Sequence, residues 1–214
     1  MNDDAAVRYP TPDAVRLLDL AAKAVLVVLL AIAVANPAWG NLEGKGAEAR
    51  AIGYPLLAFS IPAVWFLFWR ERASFPWVAD LLVTVTCFTD VLGNRLDLYD
   101  KIVWFDDWMH FMNTGLLAAA FTLLTLHRSA TLGATVERCL AFGVTAAVAW
   151  EVAEYFAFLA TSDERAGAYP DTLGDLTLGT LGSVVAAVVI HRAWQAGRLR
   201  STAPQLEPSR APRA

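Results

Sequence analysis

Apolar residues in this chain come in long runs joined by short polar links. A helix needs about 20 mostly apolar residues to cross a bilayer core of about 30 Å. Six runs approach that length: 20–35, 52–69, 77–92, 108–126, 139–159 and 173–190. The first and third are short and carry ionisable residues near their ends, Lys23, Asp80 and Asp90. A lysine there can snorkel to the interface. The first run follows a polar segment with four Asp, and Asn36-Pro37-Ala38-Trp39 is a poor cleavage site, so it reads as a retained span rather than a signal peptide. The pattern predicts an all-α fold, a polytopic transmembrane bundle of about six spans over 20–192. A cytoplasmic segment, 1–19, precedes it and a disordered cytoplasmic tail, 193–214, follows. No internal repeat or second domain is visible.

Lys/Arg bias sets the orientation. With the N-terminus inside, the inner segments hold twelve basic residues: Arg8, Arg16, Lys23, Arg70, Arg72, Arg128, Arg138, Arg192, Arg198, Arg200, Arg210 and Arg213. The outer loops hold five: Lys45, Arg50, Arg95, Lys101 and Arg165. Both termini are therefore expected in the cytoplasm. Trp39, Trp104 and Trp108 at one interface, and Trp69, Trp77 and Trp194 at the other, form an aromatic belt. Trp150, inside the fifth run beside Glu151, stands outside it.

Composition agrees. Of 214 residues, 57% are hydrophobic and 18% charged, which excludes a disordered chain. A net charge of −4 without a Lys/Arg stripe argues against nucleic acid as a partner. Membrane lipid is the expected partner, and nothing identifies a protein one. Cys87 and Cys139 fall at depths about 12 Å apart, too far for a disulfide.

The informative residues are acids placed where hydropathy disfavours them. The third run ends in Asp90, followed by Asn94, Asp97 and Asp100. The fourth opens with Asp106-Asp107-Trp108-Met109-His110, the fifth carries Trp150-Glu151-Val152-Ala153-Glu154, and the sixth opens with Asp171-Thr172-Leu173-Gly174-Asp175. The Lys/Arg count assigned these acids to neither side, yet the topology gathers them all at the outer leaflet. At 1.5 Å per residue, Glu151, Glu154, His110 and Asp175 come out at similar depth, roughly 7–12 Å below the outer surface.

Asp107/His110 and Glu151/Glu154 are i,i+3 pairs and Asp171/Asp175 is i,i+4, so each pair shares a helix face. Two carboxylates on one face repel unless a proton or cation lies between them. Ionised carboxylates in a bilayer are costly unless paired, and Arg95, Lys101 and Arg165 are the basic residues nearest these spans. Either some carboxyls are protonated or a metal is bound. Asp107, His110, Glu151, Glu154, Asp171 and Asp175 make an oxygen-rich set with one imidazole, which suits a divalent Mn, Fe, Zn or Mg.

Other roles stand beside this one. Asp106, Asp107 and Asp171 also suit helix N-termini, Asp97 and Asp100 suit a solvated loop, and Glu151 and Glu154 suit an interhelical hydrogen-bond clamp. Gly174, Gly179 and Gly182 suit close helix packing.

The motifs Asp-Asp-Trp-Met-His-Phe (106–111), Trp-Glu-Val-Ala-Glu-Tyr (150–155) and Asp-Thr-Leu-Gly-Asp-Leu with Gly-Thr-Leu-Gly after it (171–182) resemble those of the YjdF-type bacterial inner-membrane family. More distantly they are similar to the VanZ-like family. Its Asp-Lys-x-x-His, Glu-x-x-Gln and Asp-x-x-x-Asn-x-x-Gly patterns meet Asp106 or Asp107, Glu154 in place of Gln and Gly179 in place of Asn. The first resemblance implies a polytopic inner-membrane protein. The second, through its link to glycopeptide resistance, implies envelope or lipid-linked substrates.

Three functions fit. The first is a membrane-embedded, metal-dependent enzyme acting on such substrates, with Glu151, Glu154, His110 and Asp175 as ligands or acid and base. The second is a proton- or cation-coupled transporter using the same acids. The third is a non-catalytic membrane subunit.

Overall fold

The computed structural model describes residues 13–199 except Arg72 and Phe158. The polar stretch 1–12 and the tail from residue 200 lie outside the described residues. With them lie Arg8, Arg72, Arg200, Arg210 and Arg213 of the orientation count and most of the expected disordered tail. Among the described residues there are helices and no strands. The elements are α1 (Asp13–Ala35), α2 (Pro37–Gly40), α3 (Ala47–Ala58), α4 (Ser60–Val64) running into a π-helical turn (Trp65–Trp69), α5 (Trp77–Arg95), α6 (Leu98–Lys101), α7 (Phe105–Thr125), α8 (Leu132–Ala157) and α9 (Ala168–Gln195).

Each expected run is helical, with shifted bounds. Helix α1 starts seven residues before Leu20. The second run is not one helix: α3 and the segment Ser60–Trp69 meet at 42°. Pro62 is the cause, because it lacks the N–H that would bond the Ala58 carbonyl and its ring crowds that group. The Ser60 hydroxyl donates to the Leu57 carbonyl at 2.6 Å, satisfying an acceptor at the break.

Among the described residues, α1, α8 and α9 are long and apolar enough to cross a membrane, and the bent α3–α4 segment adds a fourth when counted as one span. Helices α5 and α7 are long enough, at 19 and 21 residues. Their apolarity is diluted by the polar groups they turn inward, such as Asp80, Asp90 and Asn94 on α5 and Thr114 and Thr122 on α7. The outside is correspondingly greasy: Leu17, Val28, Phe66, Leu67, Phe68 and Val189 are all exposed. Exposed apolar side chains in this number suit contact with lipid.

Helix directions follow from the contacts. On α7 and α9, His110 meets Asp175, Thr114 meets Gly179 and Gly115 meets Gly182. The contacts advance together, so this pair is parallel. On α7 and α8, Thr122 meets Cys139, Ala118 meets Gly143 and His110 meets Glu151, so that pair is antiparallel.

Glycines set how closely these helices approach. A Cβ at Gly182 would overlap the Phe111 carbonyl, and one at Gly115 would lie 2.9 Å from the Gly182 carbonyl oxygen. Small residues let backbones touch in this way. Gly174, expected to pack, meets nothing within 4 Å.

Lys23 does not snorkel. It is 6% exposed, and its ammonium donates to Asp19 at 2.6 Å, Asp80 at 2.8 Å and Thr84 at 2.6 Å. Snorkelling is favoured only while the buried alternative leaves the charge unpaired. Here two carboxylates, each 1% exposed, hold it at the α1–α5 interface.

Candidate functional site

The far end of the bundle from Lys23 carries a second polar cluster. It gathers the N-terminal turns of α3, α7 and α9 and the C-terminal turns of α5 and α8. His110 is its hub. The Nε2 atom of His110 lies 3.5 Å from Asp106 and 3.7 Å from Asp175, and its Nδ1 lies 3.6 Å from Glu151. Ligand atoms of His110, Glu151 and Glu154 all fall within 4.8 Å of one another, as do those of Asp106, His110 and Asp175. The Gly115–Gly182 crossing lies one to two turns away and holds α7 and α9 close enough for these contacts.

The separations at His110 exceed an N–H···O hydrogen bond, which runs 2.7–3.2 Å. Two ligands about 2.1 Å from a tetrahedral ion stand about 3.4 Å apart, so the spacing fits groups arranged around an ion better than groups bonded to each other. Glu151 accepts from Thr172 at 3.0 Å through Oε2. Its Oε1 is buried with no hydrogen-bond partner. Asp175, 4% exposed, makes no side-chain hydrogen bond among the described residues. Buried oxygens without partners are uncommon, and the Oε1 of Glu151 beside the Nδ1 of His110 marks a place where a cation fits.

Of the six residues expected to ligate, the structure brings His110, Glu151, Glu154 and Asp175 together. Asp171 lies one turn before Asp175, exposed, on the wall of the adjoining cavity. Asp107 is exposed and does not reach the ring; Asp106 stands there instead. Asp106 precedes His110 by four residues, about 40° round the helix, on the side that faces α8 and α9. Asp107 precedes it by three, about 60° the other way.

A second wall was not legible in the sequence. Asp90 accepts from the Arg50 Nε at 2.9 Å, from the Tyr54 hydroxyl at 2.5 Å and from the Tyr99 hydroxyl at 2.8 Å. Arg50 also donates through Nη1 to the Lys45 carbonyl. Trp150 stacks on Tyr54, with ring centroids 6.0 Å apart, and lies under the Arg50 guanidinium. Arg50 is thus a basic residue that enters the site, unlike Arg95, which sits over Trp39, and Lys101, which pairs with Asp97 at 2.9 Å. Arg50 and Tyr54 are one turn apart on α3, a shared face visible in the sequence, but no spacing showed that this face meets Asp90.

Between the walls lies a cavity of about 680 Å³. Its rim is tied by Lys45 to Asp100 at 2.5 Å and by the Asn41 amide, which donates to Asp97 at 2.9 Å. Bonds from Lys101 and Asn41 hold the Asp97 carboxyl below its ordinary pKa. Asp97 and Asp100 therefore belong to a bonded rim.

A family model described as "Predicted membrane protein (DUF2238)" matches residues 19–196. The chain belongs to that family. The matched segment contains every helix that contributes to the site, and the match agrees with the YjdF-type resemblance. No curated protein and no solved structure matches the chain.

Proposed function

We propose that the chain is a six-span protein of the bacterial inner membrane, with both termini cytoplasmic and the His110 ring facing outward. In this reading it is a metal-dependent enzyme acting on lipid or lipid-linked envelope substrates. The observation that carries it is the Oε1 of Glu151, buried without a partner 3.6 Å from the Nδ1 of His110. His110 through Nδ1, Glu151 and Glu154 would hold the ion. Three protein ligands leave a coordination position for substrate, as catalytic sites do. The ion, as Mn, Fe, Zn or Mg, would supply Lewis acidity.

The rest falls to the chain. Asp175 and Asp106 face the other imidazole nitrogen at 3.7 and 3.5 Å and would favour a proton there electrostatically, which leaves Nδ1 free to ligate. Thr172 holds Glu151 in place by donating to its second oxygen. Asp106, the more exposed of the two carboxylates at Nε2, can exchange protons between the ring and the cavity.

The break between α3 and α4 supports a second reading, a proton- or cation-coupled transporter, because transporters place sites beside discontinuous helices. Glu151→Gln separates the readings. It keeps shape and hydrogen bonds while removing a charge costly in lipid, so the variant should fold with unchanged or higher stability in detergent. The enzyme reading expects bound metal to fall at least about tenfold, comparable to about 1.4 kcal/mol. A metal-free wild type whose proton or cation flux is lost in the variant supports the transporter. A stable variant with unchanged metal content and phenotype removes both and leaves a structural subunit.

A further inference from the structure

The cavity is long and graded. Along α7 its lining runs from Asp106 to Leu117, about 16 Å of helix rise, and along α8 from Phe142 to Glu154, about 18 Å. The ring end is polar. The deep end, toward the middle of the bundle, is lined by Leu57, Leu117, Phe142 and Ala146, with Thr86 beside them. A chamber polar at its mouth and apolar at its floor matches a molecule with a polar head and a hydrocarbon chain, held head-up at the ring.

Charge then selects the head. Among the described lining residues, seven carboxylates face two basic side chains, Lys45 and Arg50. Both are already matched, Lys45 by Asp100 and Arg50 by Asp90. A divalent ion on the ring would offset Glu151 and Glu154, and Asp106 and Glu43 remain as carboxylates at the solvent-facing mouth. Such a chamber repels phosphate and attracts ammonium, and Asp106 and Glu43 offer acceptors for its N–H groups.

We infer that the substrate is an amphiphile with an amine-bearing, positively charged head group. Its head lies against Asp106 and Glu43 beside the ring, and its chain runs down to Leu117 and Phe142. The inference rests on the enzyme reading above and names its substrate class.

The test uses the full-length protein in phosphatidylcholine nanodiscs and a dodecylamine carrying a photoreactive diazirine at the chain terminus. Cross-links should map to peptides containing Leu57, Leu117 or Phe142. Excess plain dodecylamine should cut that labelling by about tenfold, whereas dodecyl phosphate should cut it by less than about twofold. Dodecyl phosphate competing as well as the amine overturns the head-group assignment. Labelling confined to the lipid-facing surfaces of α1 and α9 overturns the binding site.

Metal content is measured on the same nanodiscs. A metal-loaded protein with no cavity labelling sinks the substrate class and leaves the metal site standing. Amine-selective cavity labelling of a metal-free protein supports the amphiphile assignment and removes the ion.

Discussion

The substitution that most directly joins packing to the site is Gly182→Ala. A Cβ at position 182 would sit 2.9 Å from the Phe111 carbonyl carbon and 3.3 Å from its Cα. The nearest atom is the Phe111 carbonyl oxygen, which the Cβ would overlap, so α7 and α9 must separate by about 1 Å or more. The obstacle is backbone, so no rotamer change relieves it. Overpacking of this kind costs about 1–3 kcal/mol, and the better helix propensity of alanine, up to about 1 kcal/mol, offsets only part of it. A net loss of about 1–2 kcal/mol corresponds to a melting point lower by about 2–8 °C for a chain of this size. The same separation would stretch the His110–Asp175 approach from 3.7 Å, loosening the ring.

Gly174→Ala is the control. It lies on the same helix beside Asp175, with nothing within 4 Å of its added Cβ, so the substitution should be neutral or stabilising. Thermal unfolding in maltoside detergent measures both, and bound metal reports on the ring. A Gly182→Ala protein as stable as the wild type, or a Gly174→Ala protein equally destabilised, would refute the close-crossing argument.

Other expectations follow from the same contacts. Lys23→Met leaves Asp19 and Asp80 buried without their cation and should cost about 3–5 kcal/mol in denaturant unfolding. Adding Asp19→Asn and Asp80→Asn should recover most of that loss, and no recovery would remove the triad as the cause. Asp97 has a depressed pKa in the fold, so its bonds to Lys101 and Asn41 stabilise the rim above the ordinary carboxylate pKa, about 3.9. That contribution fades as pH falls through the lower folded value. Corrected for the intrinsic exchange rate, protection around α6 should fall on acidification in the wild type and be less pH-dependent in Asp97→Asn. For topology, cysteines at Val103, which is 98% exposed, and Ser162, with Cys87 and Cys139 replaced, should react with an impermeant reagent on intact cells; reaction only after lysis would invert the orientation.

Local pattern was enough for the elements of this fold. Six apolar runs long enough to be helices needed no tertiary information, because a chain in lipid must satisfy its backbone within each segment. Their polar interruptions were equally legible. The spacing of Glu151 and Glu154, and the depths of His110 and Asp175, follow from 1.5 Å and 100° per residue. Pro62 was visible as well, but the size of the bend depended on what α3 and α4 pack against.

Pairing between helices was decided elsewhere. Helical geometry says which side chains share a face, not which neighbour that face meets, so Arg50 was counted as a loop charge and Lys23 as a snorkelling one. The choice between Asp106 and Asp107 turned on about 100° of rotation of α7, and that rotation is set by backbone contact at Gly115 and Gly182. The cavity likewise belongs to no single segment. Its polar mouth is drawn from the ends of five helices and its floor from the middles of α5, α7 and α8 and the end of α3, so its shape came into being only when those helices packed.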